Sequence, residues 1–242
     1  MDSMEGVTSF AENLARVEER IAAACRRAGR SRSDVRLMAV SKTHAAESIA
    51  EATRAGISLF GENRVQEFGT KRLRLRELGV AAEVHLIGHL QSNKSAKAAE
   101  LFDAVDTVDS LRLADRLSDA ASRLGKALPI LIEIRLSSEP TRAGLDPADP
   151  ELVALLERLP DLPALPLRGL MTIAPFDDHP ETARLCFRRL RGLRDTLSRR
   201  HARLDFSTLS MGMSGDFELA IGEGSTLVRI GTALFGKRPL RG

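Results

Sequence analysis

The sequence predicts an α/β protein: one (β/α)8, TIM-like barrel carrying an extra helix at its amino terminus. Three observations carry that expectation. Eight short apolar runs recur along the chain, and each is followed by a helical pattern or a helical turn. The run Ile130–Leu136 is apolar almost throughout, as a parallel strand covered on both faces requires. At 242 residues the chain matches the roughly 250 that a closed barrel needs. A doubly wound open sheet is the competing architecture, but no G-x-G-x-x-G follows the first strand. With no linker, repeat or low-complexity stretch, residues 1–242 read as a single domain, 1–34 as a leading helix and turn and 35–236 as the barrel.

Val7, Phe10, Leu14, Val17, Ile21 and Ala24 recur at helical spacing, and Gly29 ends that helix. The first strand, Val35–Val40, runs into Ser41-Lys42-Thr43 and a helix over Ala45–Ala55. A second strand, Ile57–Phe60, leads through Gly61-Glu62-Asn63 to a basic helix, Val65–Leu78. Val84–Ile87 is the third strand, followed by Gly88-His89-Leu90-Gln91-Ser92-Asn93 and a helix from Lys94 to Leu101. Ala104–Val108 is the fourth, with Asp109-Ser110 capping the helix Leu111–Leu124. After the fifth strand, Pro140–Pro150 is rich in turn residues and Glu151–Leu159 is helical. Leu167–Ile173 is the sixth strand and Glu181–Arg200 its helix. Phe206–Leu209, the short helix Asp216–Ile221, Leu227–Ile230 and Gly231-Thr232 complete the count.

Composition excludes several classes. No apolar run approaches the roughly 18 residues of a membrane span, and the polar start MDSMEGVTSFAEN lacks the layout of a secretory signal, so a cytoplasmic protein is expected. Cys25 and Cys186 lie far apart in helical patterns, which argues against a disulfide scaffold or a metal centre. The net charge is only +3, and the Arg-rich stretches Lys71–Arg76 and Arg188–Arg200 recur at helical spacing among leucines. Solvated helix faces account for them better than a nucleic-acid surface, and a chain without Trp or Tyr offers few stacking platforms.

A barrel gathers the segments that follow its strands at one mouth. Lys42 then stands at the carboxyl end of a buried strand. It is either a snorkelling lysine or a desolvated amine able to attack a carbonyl carbon. Ser210-Met211-Gly212 and Gly231-Thr232 follow the seventh and eighth strands, where barrels commonly bind phosphate, though the glycines would serve tight turns equally well. Arg229 shares strand parity with Gly231 and should point inward, toward an ion-pair partner or a bound ring. A nucleophilic lysine, a phosphate cradle and an inward arginine together point to pyridoxal phosphate.

The ordered motifs AVSKT (39–43), FGENRVQE (60–67), HLIGHLQSNK (85–94), GLMTI (169–173), LSMGMSGDFELAI (209–221) and VRIGTALFG (228–236) resemble those of the pyridoxal-phosphate homeostasis proteins. That family is similar to the amino-terminal barrel of alanine racemase, fold type III among pyridoxal-phosphate proteins. The resemblance implies pyridoxal 5′-phosphate held as a Schiff base on Lys42. It implies phosphate binding by Ser210, Gly231 and Thr232 with Met211 nearby, Arg229 facing the pyridine nitrogen, and Asn63 and His89 lining the ring pocket. It also implies intracellular carriage of the cofactor without robust turnover, with pyridoxal-phosphate-dependent apo-enzymes as partners. No metal and no catalytic residue are expected.

An amino-acid racemase is the alternative. Racemases of this fold use a tyrosine opposite the lysine, supplied with a second β-rich domain of the partner subunit. This chain has no Tyr and ends at Gly242, so it is expected to be a carrier and a monomer. His89 is the one candidate for a replacement base. The chain also departs from the family pattern at Val84, at Thr141-Arg142-Ala143-Gly144 and at Gly215.

Overall fold

The computed structural model describes residues 9–136, 143–175 and 179–236. Eight strands, all parallel and hydrogen-bonded in sequence order, close into a barrel. They are β1 (Arg36–Val40), β2 (Leu59–Glu62), β3 (Glu83–Leu86), β4 (Ala104–Val108), β5 (Ile130–Glu133), β6 (Leu167–Met171), β7 (Thr208–Ser210) and β8 (Leu227–Ile230). The leading helix is α1 (Phe10–Arg27), and α2 (Ala46–Arg54), α3 (Val65–Glu77), α4 (Ser95–Leu101) and α5 (Leu111–Arg123) follow the first four strands. The second half adds α6 (Pro150–Arg158), α7 (Pro180–Arg200), α8 (Phe217–Gly222) and α9 (Thr232–Phe235). The predicted order of elements is therefore observed. Val7, Pro140, Thr141 and Arg142, which the sequence reading also used, lie outside the described residues.

Local chemistry explains how α1 begins. Ser9 and Glu12 form a reciprocal capping box, and the apolar stripe Val17, Ile21 and Ala24 is buried. That stripe packs on α8 and α9, so the leading helix seals the barrel near the seam between β8 and β1.

Strand alternation divides the core into two layers. Ala39, Phe60, Val105, Ile132, Leu209 and Ile230 face the helices, in the large outer cluster. Met38, Val40, Leu59, Ile87 and Leu227 form a small apolar cluster inside the barrel. Barrel interiors are usually filled by bulky aliphatic side chains. Here the remaining inward positions include His85, Asp106, Glu133, Ser210 and Arg229, all buried. The interior is thus partly ionic.

Several strand bounds shift from those expected, β6 to Leu167–Met171 and β7 to Thr208–Ser210 among them, and the shifts in β5 and β2 bear on the site. β5 stops at Glu133, because Ile134 makes only a single bridge to Leu145 as the chain turns away. β2 runs on through Gly61 and Glu62, both buried. A polar pair after an apolar run reads as a loop, but here Gly61 lies against Met38 and Ile87, leaving no room for a Cβ.

Gly169 adopts φ 147°, and a Cβ there would overlap the carbonyl of Thr208 on the adjacent strand. We therefore expect Gly169→Ala to cost about 3 kcal/mol in urea unfolding, since it combines overpacking with a backbone conformation that favours glycine.

Candidate functional site

The segments at the carboxyl ends of the strands surround a cavity of about 340 Å3 lined by Asn63, Ile87, Gly88, His89, Glu133, Ile134, Arg135, Ala143 and Ile173. That size falls within the roughly 300–1,000 Å3 of small-molecule pockets. Lys42 lies two residues past the end of β1 and is half-buried.

The loop that carries Lys42 is held from behind. The Ser41 hydroxyl donates to Glu62 Oε1 at 2.7 Å, and Lys71 Nζ donates to the Ser41 carbonyl at 3.0 Å. Lys71 also pairs with Glu62 and Glu67, each at 2.8 Å. Glu67 in turn accepts the Thr43 backbone N–H at 2.7 Å. Among the described residues Thr43 is the one non-glycine with positive φ, at 68°. Such a conformation persists where neighbouring contacts over-determine it, and it is often found at functional sites. Here the residues on both sides of Lys42 are pinned by one network, buried at Ser41 and Glu62 and open to solvent at Thr43. Burial raises the pKa of Glu62, while Lys71 and Ser41 hold it down.

Arg229, on β8, points inward and is only 4% exposed; neither it nor Lys42 is among the residues that line the cavity. Its Nη1 donates to Ser210 Oγ at 2.6 Å and its Nη2 to the Thr172 carbonyl at 2.9 Å. It lies in register with the inward Met38, as strand parity predicted. Burial pulls the pKa of Arg229 down, and the carboxylates Asp106, Glu133 and Asp216 oppose that pull. Ser210 accepts from Arg229 and retains its own hydroxyl hydrogen to donate.

Gly231 packs against Val40, within van der Waals distance of the strand that leads to Lys42. Thr232 beside it is exposed. Met211 differs from these neighbours: its side chain is buried in the outer core, its N–H is bonded to Leu227 and its carbonyl to Ser225. Gly212 is at φ 97° with its hydrogen side against Ala220, and its carbonyl accepts the backbone N–H of Arg229, which fixes the β7 and β8 ends together.

Asn63 and His89 meet across Gly88, whose missing side chain lets its backbone touch that of Asn63. The two residues differ in setting. Asn63 Oδ1 is buried with no hydrogen-bond partner, whereas the His89 side chain is 58% exposed and sits 3.3 Å from Asp109.

Sequence reading missed Glu62, Lys71 and Glu133. Lys71 was grouped with a solvated basic face, yet its side chain is only 10% exposed and its charge is spent inside the network. Glu133 ends β5 with Oε2 buried and unpartnered. Burial, reinforced by Asp109 and opposed by Arg229, pushes its carboxyl up to about 7.

A second charged group occupies the far end of the barrel. His85 lies between Asp106, at 3.0 Å, and Glu83, at 2.8 Å. Burial disfavours its charge, but the two carboxylates prevail and raise its pKa to about 9. With the folded value above the ordinary 6.5, the stabilisation is complete below pH 6.5 and disappears as pH rises through about 9. Glu133 titrates in part of the same window, so the wild type is best compared with His85→Gln. We expect the stability difference to shrink by up to about 3 kcal/mol across that range in urea unfolding.

Fold and mouth together define an alanine-racemase-type barrel with a lysine at the end of its first strand. The model of the alanine racemase N-terminal domain matches residues 13–239. The pyridoxal phosphate homeostasis protein of Escherichia coli K12 is 46% identical over 237 residues, covering 96% of this chain and 98% of its own. That of Aquifex aeolicus is 43% identical over 227 residues, covering 94% and 97%. This chain belongs to the pyridoxal phosphate homeostasis protein family. Among solved structures, PipY of Synechococcus elongatus with PLP bound superposes with a TM-score of 0.83 at 40% identity, covering 94% of this chain and all of that one. Alanine racemase of Clostridium difficile superposes at 0.74 with 19% identity, over 94% of this chain and 57% of that one, a likeness of fold alone. Among the described residues no helix is long and apolar enough to cross a membrane.

Proposed function

We propose that this chain binds pyridoxal 5′-phosphate as a Schiff base on Lys42 and carries it within the cytoplasm, as a monomer, without robust catalysis. The observation that carries the reading is the pinned loop: a lysine held at a barrel mouth by the Ser41–Glu62–Lys71–Glu67 network. The relatives named as homeostasis proteins and the PLP-bound PipY support the same choice of ligand. The residues at the mouth also fit the group chemically. Arg229, with N–H groups beyond the two it has committed, and the Ser210 hydroxyl present donors to a ligand whose polar atoms are mainly acceptors.

When bound, the cofactor supplies an aldehyde for the lysine and an electron-withdrawing ring. The protein's own residues decide how far that ring can act. Lys42 would supply the amine that holds the cofactor through its aldehyde. Ser210, Gly231 and Thr232 hold the phosphate. Met211 contributes packing rather than a polar contact, given its outward side chain. Asn63 and His89 line the ring.

Arg229 would face the ring nitrogen as a group that only donates, which would keep the nitrogen unprotonated and make the ring a weak electron sink. Glu133 near neutrality holds its proton part of the time, which keeps a second negative charge away from Arg229. Tight holding and weak activation suit a carrier that passes its load to pyridoxal-phosphate-dependent apo-enzymes.

Turnover tests the reading. Protein loaded with pyridoxal phosphate and incubated with L-alanine should show no change in optical rotation and no keto-acid release at enzyme-like rates. Turnover at about 1 per second or faster would make it an enzyme.

A further inference from the structure

β5 ends at Glu133, and the next residue of the same strand parity is Arg135. It lines the mouth cavity of about 340 Å3 and is half-buried. Among the described residues its guanidinium has no ion-pair or hydrogen-bond partner. We propose that Arg135 makes this cavity a binding site for a compact apolar carboxylic acid, held by its carboxylate and separate from the phosphate contacts assigned to β7 and β8.

The arginine is fixed at its base. Its backbone N–H donates to the Leu145 carbonyl at 2.9 Å, and Gly144 lies so close that a Cβ there would stand 2.9 Å from the Arg135 nitrogen. The other buried cations of the mouth are already opposed by carboxylates: Lys71 by Glu62 and Glu67, Arg229 by Asp106, Glu133 and Asp216. Glu133 does not serve Arg135 in the same way, because the cation that acts on its carboxyl is Arg229. A guanidinium that has lost part of its hydration and gained no acceptor favours an anion. A carboxylate answers its planar fork with two parallel hydrogen bonds.

The adjacent strand specifies the rest of the ligand. Glu133 pairs in register with Met171, so Arg135 and Ile173 each lie two residues beyond a paired position on neighbouring strands. Ile173 lines the cavity yet is 37% exposed, and Ile87 and Ala143 continue that apolar wall. A hydrocarbon body laid there would cover surface now open to water. Glu133 and Asp109 act on each other electrostatically beside the cavity, so a ligand with a second negative charge is repelled where a monocarboxylate is not. Asn63 and His89, assigned to the cofactor ring, line this cavity while Lys42 and Arg229 do not, which makes acid and cofactor neighbours.

The probe is sodium 3-methylbutanoate, titrated by calorimetry into the full-length protein, first free of pyridoxal phosphate and then loaded with it. The probe has no amine, aldehyde or ketone, so the Schiff-base chemistry assigned to Lys42 cannot produce the signal. We expect saturable one-to-one binding to both forms. Uncharged 3-methylbutanamide should bind about tenfold more weakly or worse, as should the acid to Arg135→Gln, the loss expected of a charge-assisted hydrogen bond. Arg135→Lys should recover part of the affinity, and Ile173→Ser should lose it severalfold. In cofactor-free Lys42→Ala, L-leucine and 4-methyl-2-oxopentanoate keep the same carboxylate and body. Binding of either supports the site, and the tighter one tells an amino acid from an oxo acid; binding of neither overturns it. Absence of saturable heat, equal binding of the amide, undiminished binding to Arg135→Gln, or loss of acid binding once pyridoxal phosphate is loaded would each overturn the proposal as well.

Discussion

Lys42→Ala is expected to abolish the Schiff-base absorption band of the protein reconstituted with pyridoxal phosphate, leaving only that of the free aldehyde. The amine is the covalent anchor in this account, and nothing else in the mouth replaces it. Among the described residues the other lysine brought close to the Lys42 loop is Lys71, and its charge is held by Glu62 and Glu67. Lys71 should therefore stay unmodified in the variant. The proposed phosphate contacts on β7 and β8 do not involve Lys42, so residual, non-covalent binding should remain and should be displaced by inorganic phosphate. An absorbance titration against the wild type checks both expectations.

Arg229→Met is the second large effect, and it acts on the fold. Met fills much of the same space but leaves Asp106, Glu133 and Asp216 without the cation that opposes their burial. It also removes the donors to Ser210 and Thr172. Removing one side of a buried charged cluster typically costs about 3–5 kcal/mol, and we expect that loss in urea unfolding. Arg229→Lys should recover part of it, because a lysine keeps the charge but lacks the fork that reaches two acceptors at once. In the reconstituted protein, both variants should shift the absorption band, since the group proposed to face the ring nitrogen has changed.

The barrel was legible because its strands are apolar and its turns carry glycine at regular intervals. Lys42 and Arg229 were legible because strand parity places them, and both lie where parity and topology require. Glu62 was hidden for a physical reason. A carboxylate after Gly61 looks like a loop residue, and its burial makes sense only once Ser41, twenty-one residues away, and Lys71 close around it. Lys71 was hidden likewise, because one lysine in a basic helix gives no sign that its charge is spent inward. Met211 marks the opposite limit. The motif match assigns it a place near the proposed phosphate site, but alternation along β7 turns its side chain outward with that of Leu209. Glu133 reads as the end of an apolar strand. Its significance comes from the carboxylate and guanidinium neighbours that other strands supply.

The central claim is that Lys42 is the covalent anchor, and borohydride tests it most directly. The protein is loaded with pyridoxal phosphate, reduced, digested and mapped by mass spectrometry. We expect one stable phosphopyridoxyl adduct on the peptide containing Lys42, absent when Lys42→Ala is treated in the same way. An adduct found on Lys71 or another lysine with Lys42 unmodified, or labelling undiminished in Lys42→Ala, would contradict it.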